Sequence, residues 1–139
     1  MTTIYATAKK EIKIQFYDLD PMDVVWHGNY VRFFEEVRYE LLDKIGYNYL
    51  EMKKSGHAWP IIDLHLRYIK SIKFGQEIIV QADLVEYETR LKILYTIYDK
   101  KSSIRLCKGH SEQVAIDYRT KEMLFASPPI LAEKLEQKE

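Results

Sequence analysis

Residues 30–45, YVRFFEEVRYELLDKI, decide how the rest of the chain folds. Tyr30, Phe33, Phe34, Val37, Leu41 and Ile45 recur at the i, i+3, i+4, i+7 spacing of one helix face, while Arg32, Glu36, Glu40 and Asp43 take the other. Asn29 is read as the N-cap, with a start nearer His27 as the alternative, and Gly46 as the stop. Upstream, residues 11–17 alternate as a half-buried strand, and 18–23, with Pro21, read as loop. Downstream the period is two: strands are expected over 59–70, 77–87, 90–98 and, as one long element, 104–118. A short MLFA segment comes next, Pro128-Pro129 ends it, and the tail LAEKLEQKE reads as polar and frayed. Hairpin-length turns imply antiparallel neighbours. One helix stripe then needs one sheet face to cover it, so the class is α+β, in a single domain spanning 1–139.

Composition narrows the function classes. Lys plus Arg number 21 and Asp plus Glu 21, so no global field gathers nucleic acid or an anionic membrane. The single cysteine, Cys107, cannot form an intrachain disulfide and reads as a buried thiol in mid-strand. No segment has the roughly 20 apolar residues of a membrane span, and no signal peptide is evident. A cytoplasmic location is expected. His57, His65 and His110 lack metal-ligand spacing and are read as structural or surface residues, so no metal site is expected.

The stretch 17–30, YDLDPMDVVWHGNY, leads into that helix. A helix start carries unpaired N–H groups and a positive dipole end, which suit negative charge developing on a carbonyl oxygen. Asp20 and His27 lie close to it in the chain, and Gly28 removes bulk beside it. A carboxylate, an imidazole and a backbone oxyanion pocket suit acyl-transfer hydrolysis. By spacing alone, the plainer reading competes: acids at helix starts usually cap, and Val24, Val25 and Trp26 read as core.

The longer string YDLDPMDVVWHGNYVRFFEEVR resembles the signature of hot-dog-fold acyl-CoA thioesterases, in particular the 4-hydroxybenzoyl-CoA thioesterase-like and Tol–Pal-associated branch. The residues carrying the likeness are Tyr17, Asp18, Asp20, Val24, Val25, Trp26, His27, Asn29, Tyr30, Phe34, Glu35 and Arg38. Gly46, Pro60, Gly75-Gln76-Glu77 and VAIDYRTKEMLFASPPIL extend it over nearly the whole chain. The resemblance implies an antiparallel sheet wrapped around one long helix, joined into a homodimer or homotetramer with active sites between protomers. It implies an acyl-CoA substrate, with acyl-carrier protein as the other thiol, and no metal or redox cofactor. Asp20 would act as nucleophile or as general base on water. The amide at His27 or Gly28 would polarise the carbonyl, with His27 functional and Trp26 and Tyr30 beside the substrate. Arg90 and Lys92, with Lys70, Arg67 and Lys73 as further candidates, would meet the phosphates of coenzyme A; a solvated strand face is the competing reading. The chain departs from the signature at Met22 and Asp23, where relatives carry small residues.

Two rivals stay open. One is a hot-dog hydroxyacyl dehydratase, against which the D-x-D…V-V-x-H signature speaks. The other is a non-catalytic dimer that binds acyl-CoA or acyl-carrier protein.

Overall fold

A computed structural model describes residues 2–137. Its main sheet has five antiparallel strands in the order β1-β4-β5-β6-β3: β1 is Ala6–Lys13, β3 Ile61–Tyr68, β4 Glu77–Glu86, β5 Leu91–Asp99 and β6 Arg105–Gln113. Helix α1, Asn29–Lys44, lies along one face. A short helix α2, Tyr49–Lys54, leads to the two-residue strand β2, His57–Ala58, which pairs with β7, Ile116–Asp117. Helix α3, Pro129–Glu136, closes the described chain. Among the described residues, no helix is long and apolar enough to cross a membrane.

The helix stripe read from the period is the one buried. Phe33, Phe34, Val37 and Leu41 are essentially inaccessible and face Ile78, Val80, Leu84, Leu91, Ile93 and Ile97 of the central strands. Each fully buried side chain of this kind contributes about 1.5–3 kcal/mol. Phe34 stacks flat on Tyr95, centroids 4.3 Å apart, directly over Gly109 of β6. A Cβ at Gly109 would sit 2.8 Å from the Phe34 ring and would collide with the His65 carbonyl oxygen. The glycine in mid-strand is what lets the helix approach so closely.

Four expectations need correction. Strand β1 starts earlier and ends sooner than 11–17, because Ala6 to Lys10 already pair with β4. Phe16 then falls in a 3-10 turn, Phe16–Asp18, and is exposed. The element expected over 104–118 breaks after Gln113, where the Val114 N–H turns to the Pro60 carbonyl and β7 joins a different strand. Asn29 is the first helical residue rather than the cap, which is Gly28; the Asn29 amide instead donates to the Asp18 carbonyl at 2.9 Å. The tail is helical through Glu136, with Pro129 in the first turn and Leu131 and Leu135 buried; only its last two residues lie outside the described chain. Charged neighbours hid an i, i+4 leucine pair, and a proline that ends one element opens the next.

The sheet's two edges differ. β1 is closed against α1. β3 pairs only with β6, and beyond its open edge Ile62, Leu64, Tyr68 and Ile69 are exposed.

Candidate active site

The loop before α1 is pinned from both sides. Asp18 is buried: one carboxylate oxygen accepts the Gln15 N–H, and the other accepts from Arg32 at 2.7 Å. Its carbonyl accepts the Trp26 N–H as well as the Asn29 amide. The Val25 N–H donates to the Ile72 carbonyl at 2.8 Å, and Val24 bridges to Lys73. Asp18 is thus the anchor that aims Asp20 and the turn around it.

Between these anchors the chain turns sharply. The Asp20 N–H donates to the Val24 carbonyl, and the Asp23 N–H to the Asp20 carbonyl. Asp23 sits at φ +64°, in the left-handed region where Gly, Asn and Asp are tolerated. The expected small residue is therefore a conformational requirement of this turn, and Asp23 meets it with its side chain exposed.

Asp20 is half-buried, and its Oδ1 accepts the Met22 N–H at 2.8 Å. No cation pairs with this carboxylate among the described residues. At the helix start, the Asn29 N–H goes to the Trp26 carbonyl and the Tyr30 N–H to the His27 carbonyl. The N–H groups of His27 and Gly28 have no acceptor within the described residues. They are the donors that a helix start leaves free. The His27 ring is exposed and tilted against Trp26, 5.3 Å between centroids. The Trp26 indole fills the room that Gly28 leaves: a Cβ there would collide with the ring.

A cleft of about 250 Å³ opens at this point, lined by Asp20, His27, Tyr30, Tyr68, Lys70 and Ser71 among others. Tyr68 closes one wall, its hydroxyl donating to the His27 carbonyl at 3.2 Å and its ring edge-on to Tyr30. Burial pushes the Tyr30 phenol up to about 12 and the neighbouring Cys107 thiol, wholly inaccessible, up to about 12 as well. Both stay neutral at ordinary pH.

Of the residues read from sequence, Asp20, His27, Tyr30 and Lys70 come together at one cleft. Arg90 and Lys92 do not join it. They lie at the far end of the sheet, paired with Glu112 and, for Arg90, Glu86. Tyr68 and Ser71 went unread, since they reach the cleft from the end of β3 and the segment after it, some 40 residues on. Among the described residues, no group of three or more His, Cys, Asp or Glu side chains is placed to hold a metal ion.

Known proteins resemble this chain in sequence and in fold. Residues 14–136 match the model of the thioesterase-like superfamily. A candidate esterase of Synechocystis is 30% identical over 125 residues, 89% of this chain and 75% of its own length. YneP of Bacillus subtilis, a candidate acyl-CoA thioesterase, is 28% identical over 111 residues, 79% of this chain and 80% of its own. The crystal structure of a DHNA-CoA thioesterase from Staphylococcus aureus superposes with a TM-score of 0.81 at 28% identity, covering 94% of this chain and 89% of that one.

Proposed function

The chain belongs to the thioesterase-like superfamily, and from that premise we infer that it hydrolyses acyl-CoA thioesters to a free carboxylate and coenzyme A. The observation that carries the reading is the meeting of one carboxylate without a cation, Asp20, with His27 at an open cleft, where the His27 amide and that of the next residue, Gly28, are acceptor-free. The thioester oxygen accepts from those amides, which stabilise the charge it gains as the carbonyl carbon becomes tetrahedral. Asp20 either takes a proton from water as that water attacks, or attacks first and is released by water in a second step. In both routes a C–O bond forms, the C–S bond breaks, and the thiolate leaves with the electron pair and is then protonated. A thioester is an activated acyl group, so no full triad is required. The His27 ring, exposed beside the cleft, assists by holding the water or the carbonyl, Tyr30 shapes the cleft wall, and Trp26, which does not line the cleft, backs the His27 ring. Lys70, on the cleft wall, is the nearest cation for the phosphates of coenzyme A.

The functional unit is a dimer joined through β3. Its unpaired backbone edge and its exposed Ile62, Leu64 and Tyr68 favour pairing with a second copy of the same strand.

The test is thiol release from short, long and aromatic acyl-CoAs by the wild type and Asp20→Asn. Turnover by the wild type alone supports the reading. Equal turnover by folded Asp20→Asn removes Asp20 from it. Folded wild-type protein that binds acyl-CoA or acyl-carrier protein without releasing thiol makes it a binding module.

A further inference from the structure

Helix α1 begins without the usual cap. Gly28 stands at the N-cap, where no side chain accepts the first amides, and the first turn carries no acid. A capping side chain would hold the helix start still, but it would also occupy the donors that a thioester oxygen needs. Here the start is held from its carbonyl side instead. The His27 carbonyl accepts the Tyr30 N–H at 3.3 Å and the Tyr68 hydroxyl at 3.2 Å. A carbonyl oxygen has two lone pairs, so it takes both donors. Both bonds are long, so each alone is weak and the carbonyl depends on the two together. The second donor comes from outside the helix, 41 residues on.

Tyr68 reaches the helix from a fixed base. It is the last residue of β3 and lies opposite Cys107 of β6, and the next two amides, Ile69 and Lys70, both donate to the Leu106 carbonyl. Its ring stands edge-on to Tyr30, with centroids 4.7 Å apart and planes at 87°. Ring and hydroxyl thus hold the first turn of α1 at two points. Burial, with Cys107 adding to it, raises the Tyr68 phenol, so the hydroxyl keeps its proton over the ordinary pH range.

Building on the hydrolysis reading above, we propose that Tyr68 is the positioning residue of the oxyanion pocket. Its hydroxyl, bound to the His27 carbonyl, fixes the peptide groups on either side of His27 while leaving their N–H groups free. The His27–Gly28 peptide contains that carbonyl, so a donor on its oxygen also polarises the Gly28 N–H. Gly28 has no Cβ to restrict its backbone, so this peptide is the one most in need of an outside restraint. A held amide needs no reorganisation as negative charge grows on the thioester oxygen. In this role Tyr68 touches neither the carbonyl carbon under attack nor the attacking oxygen; it acts through the backbone of the helix start.

The test is Tyr68→Phe, which removes the hydroxyl and keeps the ring against Tyr30; Tyr68→Met, which also lacks the hydroxyl, repeats it where Phe disturbs folding. With an acyl-CoA that the wild type hydrolyses, kcat is expected to fall by about three- to tenfold, with KM within about twofold and the thermal melt unchanged. That is less than the roughly 10²–10³-fold cost of deleting a direct oxyanion donor, because Tyr68 works through one. An unchanged kcat, a change confined to KM, or a loss of turnover that follows a loss of stability overturns the proposal and leaves the hydrolysis reading standing. A second readout needs no turnover. The amide resonances of His27 and Gly28 are followed by proton–nitrogen NMR in the wild type and Tyr68→Phe. Losing the donor on the His27 carbonyl should move the Gly28 amide proton upfield and speed its exchange with solvent. If that happens while no acyl-CoA is hydrolysed, the hold on the helix start stands and the hydrolysis reading alone falls. Unmoved His27 and Gly28 resonances sink the proposal whatever the turnover.

Discussion

The two flanks of α1 are built from different materials. Toward β1 the flank is laced shut: Lys10 reaches Glu36 and Glu40, Arg32 reaches Glu36, and Lys44 donates to the Thr7 carbonyl. β1 itself turns Lys9, Glu11 and Lys13 outward, which discourages pairing by another chain. Toward β3 the flank carries one ion pair, Glu35 with Arg38, and then opens on a cavity, a cleft and an apolar edge. Charge closes one side of the fold; on the other, apolar surface and unused hydrogen-bonding groups are left for something outside the chain. The difference separates what stabilises the protomer from what it does.

The sharpest test of this division is on the open side. Asp20→Asn should keep the wild-type circular dichroism and lower kcat by about 10²–10⁴-fold, the usual worth of a positioned acid or base. His27→Ala should lose less, because its backbone amide survives; a larger loss than for Asp20→Asn would shift the chemistry to the imidazole.

Asp18→Ala should act on stability first and on turnover second. It strands the Gln15 N–H and Arg32 and frees the loop that aims Asp20. With Arg32 about half exposed, the expected cost is about 2 kcal/mol in urea unfolding, together with slower turnover. Unchanged stability would mean that Asp18 does not anchor the loop.

Leu64→Lys on the β3 edge should shift sedimentation from dimer toward monomer and reduce activity with it, while Thr7→Lys on the β1 edge should change neither. If both variants sediment as the wild type does, β3 is not the joining edge.

The open side also holds the buried Tyr30 and Cys107, each raised to about 12 by burial. Folding favours their neutral forms. Stability from this source is complete well below pH 9, where the unfolded thiol is half ionised, and falls as pH rises through that value toward 12. Thermal melts between pH 8 and 11 should show the decline, and Cys107 should resist thiol reagents until the protein unfolds.

The smallest effect belongs to the closed flank. Lys10→Ala removes two partly exposed ion pairs and should cost under 1 kcal/mol, with turnover unchanged. A marked loss of activity there would break the contrast between the flanks.

Much of this was present in the order of residues alone. The period of 30–45 specified a helix and its buried face, and alternation in 77–87 and 90–98 specified central strands, because both signals are local and repeat within a few residues. The D-x-D string placed Asp20 and His27 beside a helix start, since they are its neighbours in the chain. Only the tertiary structure separated the two acids into a buried anchor and a cleft-lining carboxylate. It alone brought Tyr68 and Lys70 to Asp20, set Gln113 against Trp59, and made a helix of a tail whose charged residues conceal two leucines. Those outcomes depend on strand order and on which edge stays open, and such pairings between distant segments leave no period for a local reading to detect.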